Sequence, residues 1–169
     1  MKSFPLLATL SLLLVSCAGY QVGPRKPPSL EKVDTISISV FENDTLHPRA
    51  EVLATSAVAS AVTLDGSYRI VPAKDADAVL EGTVRRIDYD TIRSRRFNAL
   101  RPEELENRVL ISWVLRDAKD PTQVLASGTA NGESQLFVSS NLQTARQNAL
   151  PEAMERAGEQ LVSRIANGF

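Results

Sequence analysis

Val124-Leu125-Ala126-Ser127-Gly128-Thr129-Ala130-Asn131-Gly132-Glu133-Ser134-Gln135-Leu136-Phe137 has the two-residue alternation of a strand. On one side of it Ala126, Gly128, Ala130 and Gly132 leave a face almost without side chains. Such a face marks where a helix or another backbone approaches closely. A helical pattern follows at 142–166, where Ala149, Ala153, Ala157, Leu161 and Ile165 recur every four residues, flanked by Leu150, Met154 and Val162. Pro151 either kinks this helix or starts its second part, and Asn167-Gly168 ends it.

A second Ala-rich helix is expected at 48–64, with Pro48 at its first helical position and Asp65-Gly66 as its stop. Its apolar stripe reads Ala50, Leu53, Ala54, Ala57, Val58, Ala61 and Leu64, side chains small enough for close packing on a sheet. Ile36, Ile38 and Val40 alternate with Ser37 and Ser39 as a half-buried strand. Further strands fall at 68–71, 79–89 and 108–116; in the second, Leu80 and Val84 share one face, and Glu81, Thr83 and Arg85 the other. The order β-α-β-β-β-β-α implies an α+β fold. It is a two-layer sandwich with a mostly antiparallel, four- to five-stranded sheet covered on one face by two helices. This single domain occupies residues 33–169.

The 169 residues are 43% hydrophobic and 23% charged, values that suit a globular chain. Lys plus Arg total 19 against 20 Asp plus Glu, a near-neutral balance that argues against a nucleic-acid partner. Residues 1–16 read as an export signal: Met1-Lys2 is basic, and 4–15 is an apolar run. As a helix that run spans roughly 18 Å, too short for a hydrocarbon core of about 30 Å. It ends in Leu14-Val15-Ser16-Cys17, which resembles a bacterial lipobox, in which the cysteine is acylated and the chain is cut just before it. Cys17 is the chain's one cysteine and the expected lipid-attachment site. More than one acyl chain (palmitate-like) makes a stable membrane anchor, and Ala18 rather than Asp matches the pattern sorted to the outer membrane. Residues 17–32 then form a lipidated, Pro-rich tether. Its Arg25-Lys26 pair reads either as a solvated part of that tether or as a contact for anionic headgroups.

Catalytic chemistry finds no set of residues here. Nucleophilic catalysis needs a nucleophile beside a base, and the one histidine, His47, reads as a turn residue. One His and one Cys argue against a zinc or iron–sulfur centre, and no Gly-rich loop precedes a helix in the manner of a nucleotide cofactor site. The expectation is no enzyme, no cofactor and no metal. Asp75-x-Asp77 reads as a carboxylate pair able to hold a cation or, more simply, as a loop before a strand. The most uneven charge is at 91–101, where Arg93, Arg95, Arg96 and Arg101 stand with Phe97 and Leu100 and no acid among them. Guanidinium forks match phosphate oxygens, and the apolar side chains suit acyl groups, so the mixture fits an anionic amphiphile. The same stretch also reads as a solvated loop partly neutralised by Glu103, Glu104 and Glu106.

Several segments together resemble the LptE-type lipopolysaccharide-assembly lipoproteins. They are the lipobox with Gly19-Tyr20-Gln21-Val22-Gly23, then Ile36-Ser37-Ile38-Ser39-Val40-Phe41-Glu42-Asn43-Asp44-Thr45 running into Pro48 and Glu51. Leu64-Asp65-Gly66-Ser67-Tyr68-Arg69, Ala76-Asp77-Ala78-Val79-Leu80-Glu81-Gly82-Thr83 and Leu136-Phe137-Val138 followed by Ala149-Leu150-Pro151 continue it. The resemblance implies a non-enzymatic outer-membrane lipoprotein, the plug and assembly partner of an LptD-type β-barrel, facing the periplasm or held in the barrel lumen. It implies lipopolysaccharide binding through basic residues at a sheet end, for which Arg93, Arg95, Arg96 and Arg101 are the candidates. Trp113 and other arginines are equally available to the barrel. The alternative is a lipid-tethered scaffold or regulator of envelope machinery, such as an activator of a peptidoglycan synthase.

Overall fold

Gly132 decides how the two layers meet. A Cβ there would overlap the Ala153 carbonyl oxygen and lie 2.5 Å from the Ala157 nitrogen, so a helix backbone is seated directly on the bare strand face. The structure is a computed structural model and describes residues 26–95, 98–137 and 142–168. Its strands are β1 (Thr35–Ile38), β2 (Glu42–Asn43), β3 (Arg69–Ile70), β4 (Ala78–Arg95), β5 (Asn98–Asp117) and β6 (Val124–Phe137). Its helices are α1 (Ala50–Asp65) and α2 (Leu142–Asn167), with short 3-10 turns at Pro28–Leu30 and Ala73–Asp75.

The sheet order is β3-β1-β4-β5-β6, with β2 pairing on β4 beyond the end of β1. The long strands β4, β5 and β6 are antiparallel, whereas β1, β2 and β3 pair in parallel. The sheet is therefore mixed, with an antiparallel centre, and both helices lie on one face as expected. Register slips by one residue between Val84 and Arg86. This bulge moves the core-facing positions of β4 from Leu80, Gly82 and Val84 to Ile87 and Tyr89, and leaves Arg85 and Arg86 both outside. The main core unites Leu80, Val84, Val109, Ile111 and Leu115 with Val58, Val62, Met154, Leu161 and Ile165. The helices cross on small residues, a Cβ at Gly158 meeting the Ala57 backbone at 3.0 Å.

Three local expectations change. Arg49 takes a left-handed φ of 65°, so α1 begins at Ala50 and Pro48 stays outside it. The buried row of α1 is Ala50, Ala54, Val58 and Val62, while Leu64 is 84% exposed, because two residues further on along a helix lies about 200° away. Trp113 does not face outward to a barrel: it is 4% exposed on the helix-covered face, packed against Gly128. At the other end of the chain, Leu30 is fully buried. Lys26 also docks there, its ammonium bonded to the Val33 carbonyl (2.6 Å) and the Asp34 carboxylate (2.9 Å), 4.7 Å from the Tyr68 ring centre. No helix among the described residues is long and apolar enough to cross a membrane.

Candidate functional site

The β4–β5 hairpin outgrows the sheet. The pairing of β5 with β6 stops at Glu104 with Phe137, yet β4 and β5 continue to pair through Arg93 with Glu104, Ser94 with Pro102 and Arg95 with Asn98. At about 3.3 Å per residue this two-stranded extension projects roughly 20 Å beyond the third strand. The backbone positions of Arg93, Arg95 and Arg101 fall on it. Arg96 lies outside the described residues, as does Cys17. At the root of the extension two apolar side chains are exposed, Ile92 and the 74% exposed Phe137. Three register shifts between Thr91 and Arg95 leave this part of β4 irregular.

Beneath that root is a polar group that a scan for charged motifs does not find. Tyr89 on β4, Asn107 on β5 and Ser134 on β6 are cross-strand neighbours on the helix-covered face. Arg146 of α2 lies with its guanidinium carbon 4.8 Å from the Tyr89 ring centre, and His47 approaches the same ring at 5.7 Å. Burial pushes the Tyr89 phenol pKa up, against a smaller pull downward from Arg146, so the hydroxyl stays protonated at neutral pH. Ser134 donates its hydroxyl to the Ala149 carbonyl at 2.8 Å. Asn107 is 0% exposed, and neither its Oδ1 nor its Nδ2 has a hydrogen-bond partner; the buried Nε of Arg146 also has none. An unsatisfied buried group costs about 1–3 kcal/mol. One signal was in the sequence: extending the inward phase of Leu115, Trp113, Ile111 and Val109 by one step places Asn107 inside.

His47 is held by a knotted turn rather than by a catalytic partner. The Asn43 side chain donates to the His47 carbonyl (2.9 Å) and to Glu51 (3.0 Å), and accepts from the Thr45 amide (2.9 Å) and hydroxyl (2.7 Å). Asp77 is a clamp and not half of a cation-holding pair. Its carboxylate accepts from the Thr35 hydroxyl (2.8 Å) and from the amides of Thr35 (2.9 Å) and Asp34 (3.1 Å), which holds its pKa below the usual carboxylate range. No group of three or more metal-ligating side chains occurs among the described residues. A crevice of about 310 Å³ on the outer sheet face is lined by Ser39, Glu42, Glu81, Thr83 and Arg85. Two of its charges are already matched, Arg85 by Asp44 and Ser112, and Glu81 by Arg116, while Glu42 accepts from the Thr83 hydroxyl.

The family model described as LptE, lipopolysaccharide-assembly, matches residues 33–165. The chain belongs to the LptE family. That family is one of non-enzymatic, envelope-associated lipoproteins, and the match runs from just before β1 into the last turn of α2. Solved structures agree on the fold. A Xanthomonas campestris protein of the DUF330 family superposes with a TM-score of 0.58 at 16% identity, covering 88% of this chain and 94% of its own. Lipoprotein B of Nitrosomonas europaea gives 0.55 at 13% identity, covering 88% and 90%. A minor lipoprotein of Acinetobacter baumannii gives 0.54 at 8% identity, covering 79% and 93%. None of the curated protein sequences compared with the chain matches it significantly.

Proposed function

We propose that this LptE-family protein is cut before Cys17, acylated there, and held at the outer membrane as the plug and assembly partner of an LptD-type β-barrel. In that role it binds lipopolysaccharide through Arg93, Arg95, Arg96 and Arg101 and carries out no catalytic step. The family match over 33–165 is the observation that carries this reading. The overhanging hairpin supports it: a two-stranded arm bearing arginines beside exposed Ile92 and Phe137 can meet phosphate and acyl groups together. The docking of Lys26 and Leu30 supports it as well, because residues 17–32 then keep the domain close to the lipid surface.

The test has two parts. Purification of the full chain from detergent-solubilised outer membrane should bring down a barrel protein of very high strand content, and recovery of the lipoprotein alone overturns the partnership. Replacing all four arginines with glutamate should weaken lipopolysaccharide binding at least tenfold while the circular dichroism spectrum is unchanged. Equal affinity moves the binding site elsewhere. Raising ionic strength should weaken the parent contact, since exposed ion pairs are screened within about 8 Å at physiological salt.

A further inference from the structure

The two parts of α2 rest on different bases. Its first turns, up to Ala149, cover a small separate cluster of Leu105, Leu136 and Ala149, ringed by Tyr89, Leu142 and Ala145, whereas Leu150 and the part from Ala153 onward sit on the main core. Pro151 stands two residues past Ala149, where the change of base occurs. It has no amide hydrogen for the Gln147 carbonyl, so the helix lacks a rung at the boundary between the two bases. Asn107 lies between the clusters, wholly buried, with an unpartnered donor and an unpartnered acceptor. A leucine there would continue the apolar run of Leu105 and Val109 and leave no polar atom unpaired. An unsatisfied asparagine at such a place calls for a partner that the folded chain alone does not supply.

The chemistry of that partner follows from the donors. Asn107 offers two N–H groups and one acceptor, Arg146 offers a cationic Nε–H, and Tyr89 links the two, paired across the strands with Asn107 and stacked under the Arg146 guanidinium. A phosphate monoester carrying one proton answers all of these: its oxygens accept from Arg146 and Asn107, and its O–H donates to Asn107 Oδ1. The adjoining walls are leucine and alanine, which suit a methylene chain. We infer that Asn107, Arg146 and Tyr89 form a slot for the phosphate end of an acyl-bearing amphiphile, reached when residues 142–150 lift about Pro151. This rests on the lipopolysaccharide reading and adds to it a second contact, under the helix and apart from the arginine hairpin.

Hydrogen exchange along α2 tests it, with the full lipidated chain in nanodiscs and three soluble probes: hexyl phosphate, inorganic phosphate and hexyl glucoside. Amides of 142–150 should exchange at least tenfold faster than those of 153–165, and hexyl phosphate should slow them threefold or more while the other two leave them unchanged. Asn107→Leu and Arg146→Gln should each abolish that slowing, with Asn107→Leu melting no earlier than the parent. If Asn107→Leu melts early, Arg146→Gln, at a partly exposed side chain, supplies the same comparison. An equal response to inorganic phosphate or to hexyl glucoside overturns the inference. So does uniform exchange along α2, a response that survives Arg146→Gln, or no response to any probe, which would leave the slot to ordinary water. Barrel capture is read in the same preparations. A retained barrel with a silent slot sinks this inference alone, whereas a missing barrel sinks the wider reading.

Discussion

Gly132→Ala adds one methyl group and should be among the most damaging small changes in the molecule. The new Cβ would overlap the Ala153 carbonyl oxygen and crowd the Ala157 nitrogen, both of them backbone atoms of α2. A flexible side chain could rotate aside, but a helix backbone yields only if the whole element moves and opens its contacts along the sheet. Overpacking a core costs about 1–3 kcal/mol, and an immovable obstruction belongs at the top of that range. Alanine recovers about 0.5–1 kcal/mol relative to glycine within a strand. The net loss is therefore about 2–2.5 kcal/mol, or roughly 6–12 °C in melting temperature for a domain of this size. Gly128→Ala is the control, because its Cβ meets only the Trp113 indole, at 3.0 Å, and that ring can give by a few tenths of an ångström. It should melt within about 2 °C of the parent. Thermal unfolding of the full chain in detergent, followed by circular dichroism, separates the two. If Gly132→Ala melts with the parent, or both variants fall alike, the close seating of α2 on β6 is wrong.

Two further outcomes concern pH. The Tyr68 hydroxyl donates to the Ile165 carbonyl at 2.6 Å, and burial, helped by Asp65, pushes its pKa up to about 12. The folded value lies above the unfolded one of about 10, so this stabilisation is complete below pH 10 and disappears as pH rises toward 12, an effect of about 2–3 kcal/mol. Tyr68→Phe should remove that alkaline loss from urea-unfolding curves, and superimposable profiles would refute the assignment. The Asp77 clamp works in the opposite direction: its folded pKa is depressed, so its contribution is present above the ordinary carboxylate range and is lost as pH falls through the folded value. Asp77→Ala should cost about 1–2 kcal/mol at pH 7, allowing for solvent screening, and very little once the parent carboxylate is protonated. A deficit that stays constant down to acid pH would assign the effect to packing instead.

The architecture was legible because its two periodicities are clean. The bare face of β6 announced the close approach of a helix, and the four-residue recurrence of Ala149, Ala153, Ala157, Leu161 and Ile165 supplied the helix that makes it. What escaped were features set by single residues. The bulge at Arg85 reverses the inward phase of β4, and no alternation rule places a one-residue slip. In α1, nearly every position is small or apolar, so the pattern alone could not choose between Val62 and Leu64. Trp113 is available to a barrel contact by its chemistry, but its own strand phase, shared with Ile111 and Leu115, puts it inside. The candidate site divides in the same way. A run of arginines is visible as composition, whereas Asn107, Tyr89 and Arg146 come together only through pairing across three strands and a helix.

The uncovered sheet face bears on which partner can enclose this domain. Arg108 faces Asp90, Glu106 and Glu133, while Arg116 pairs with Glu81 and Arg86 with Asp88. These pairs are largely solvated and contribute little to stability, so their consequence is for what can touch them. A dry, apolar interface would have to strip water from a ladder of half-exposed charges, at a cost that the pairing does not recover. A hydrated wall lined by polar side chains makes no such demand, and the interior of a transmembrane β-barrel is a wall of that kind. The helix side is different. The exposed positions of α1 are Val52, Ser56, Ser60, Thr63 and Leu64, uncharged until the terminal Asp65, and that uncharged stretch can be desolvated cheaply. A barrel partner should therefore press its tighter, drier contacts against α1 and leave water between its wall and the outer strands. Crosslinkers placed at Ser56 and Ser60 should then capture the barrel more efficiently than those placed at Ser127 and Thr129 on β6. The opposite ranking would mean that the sheet face, with all its charges, is the one the partner grips.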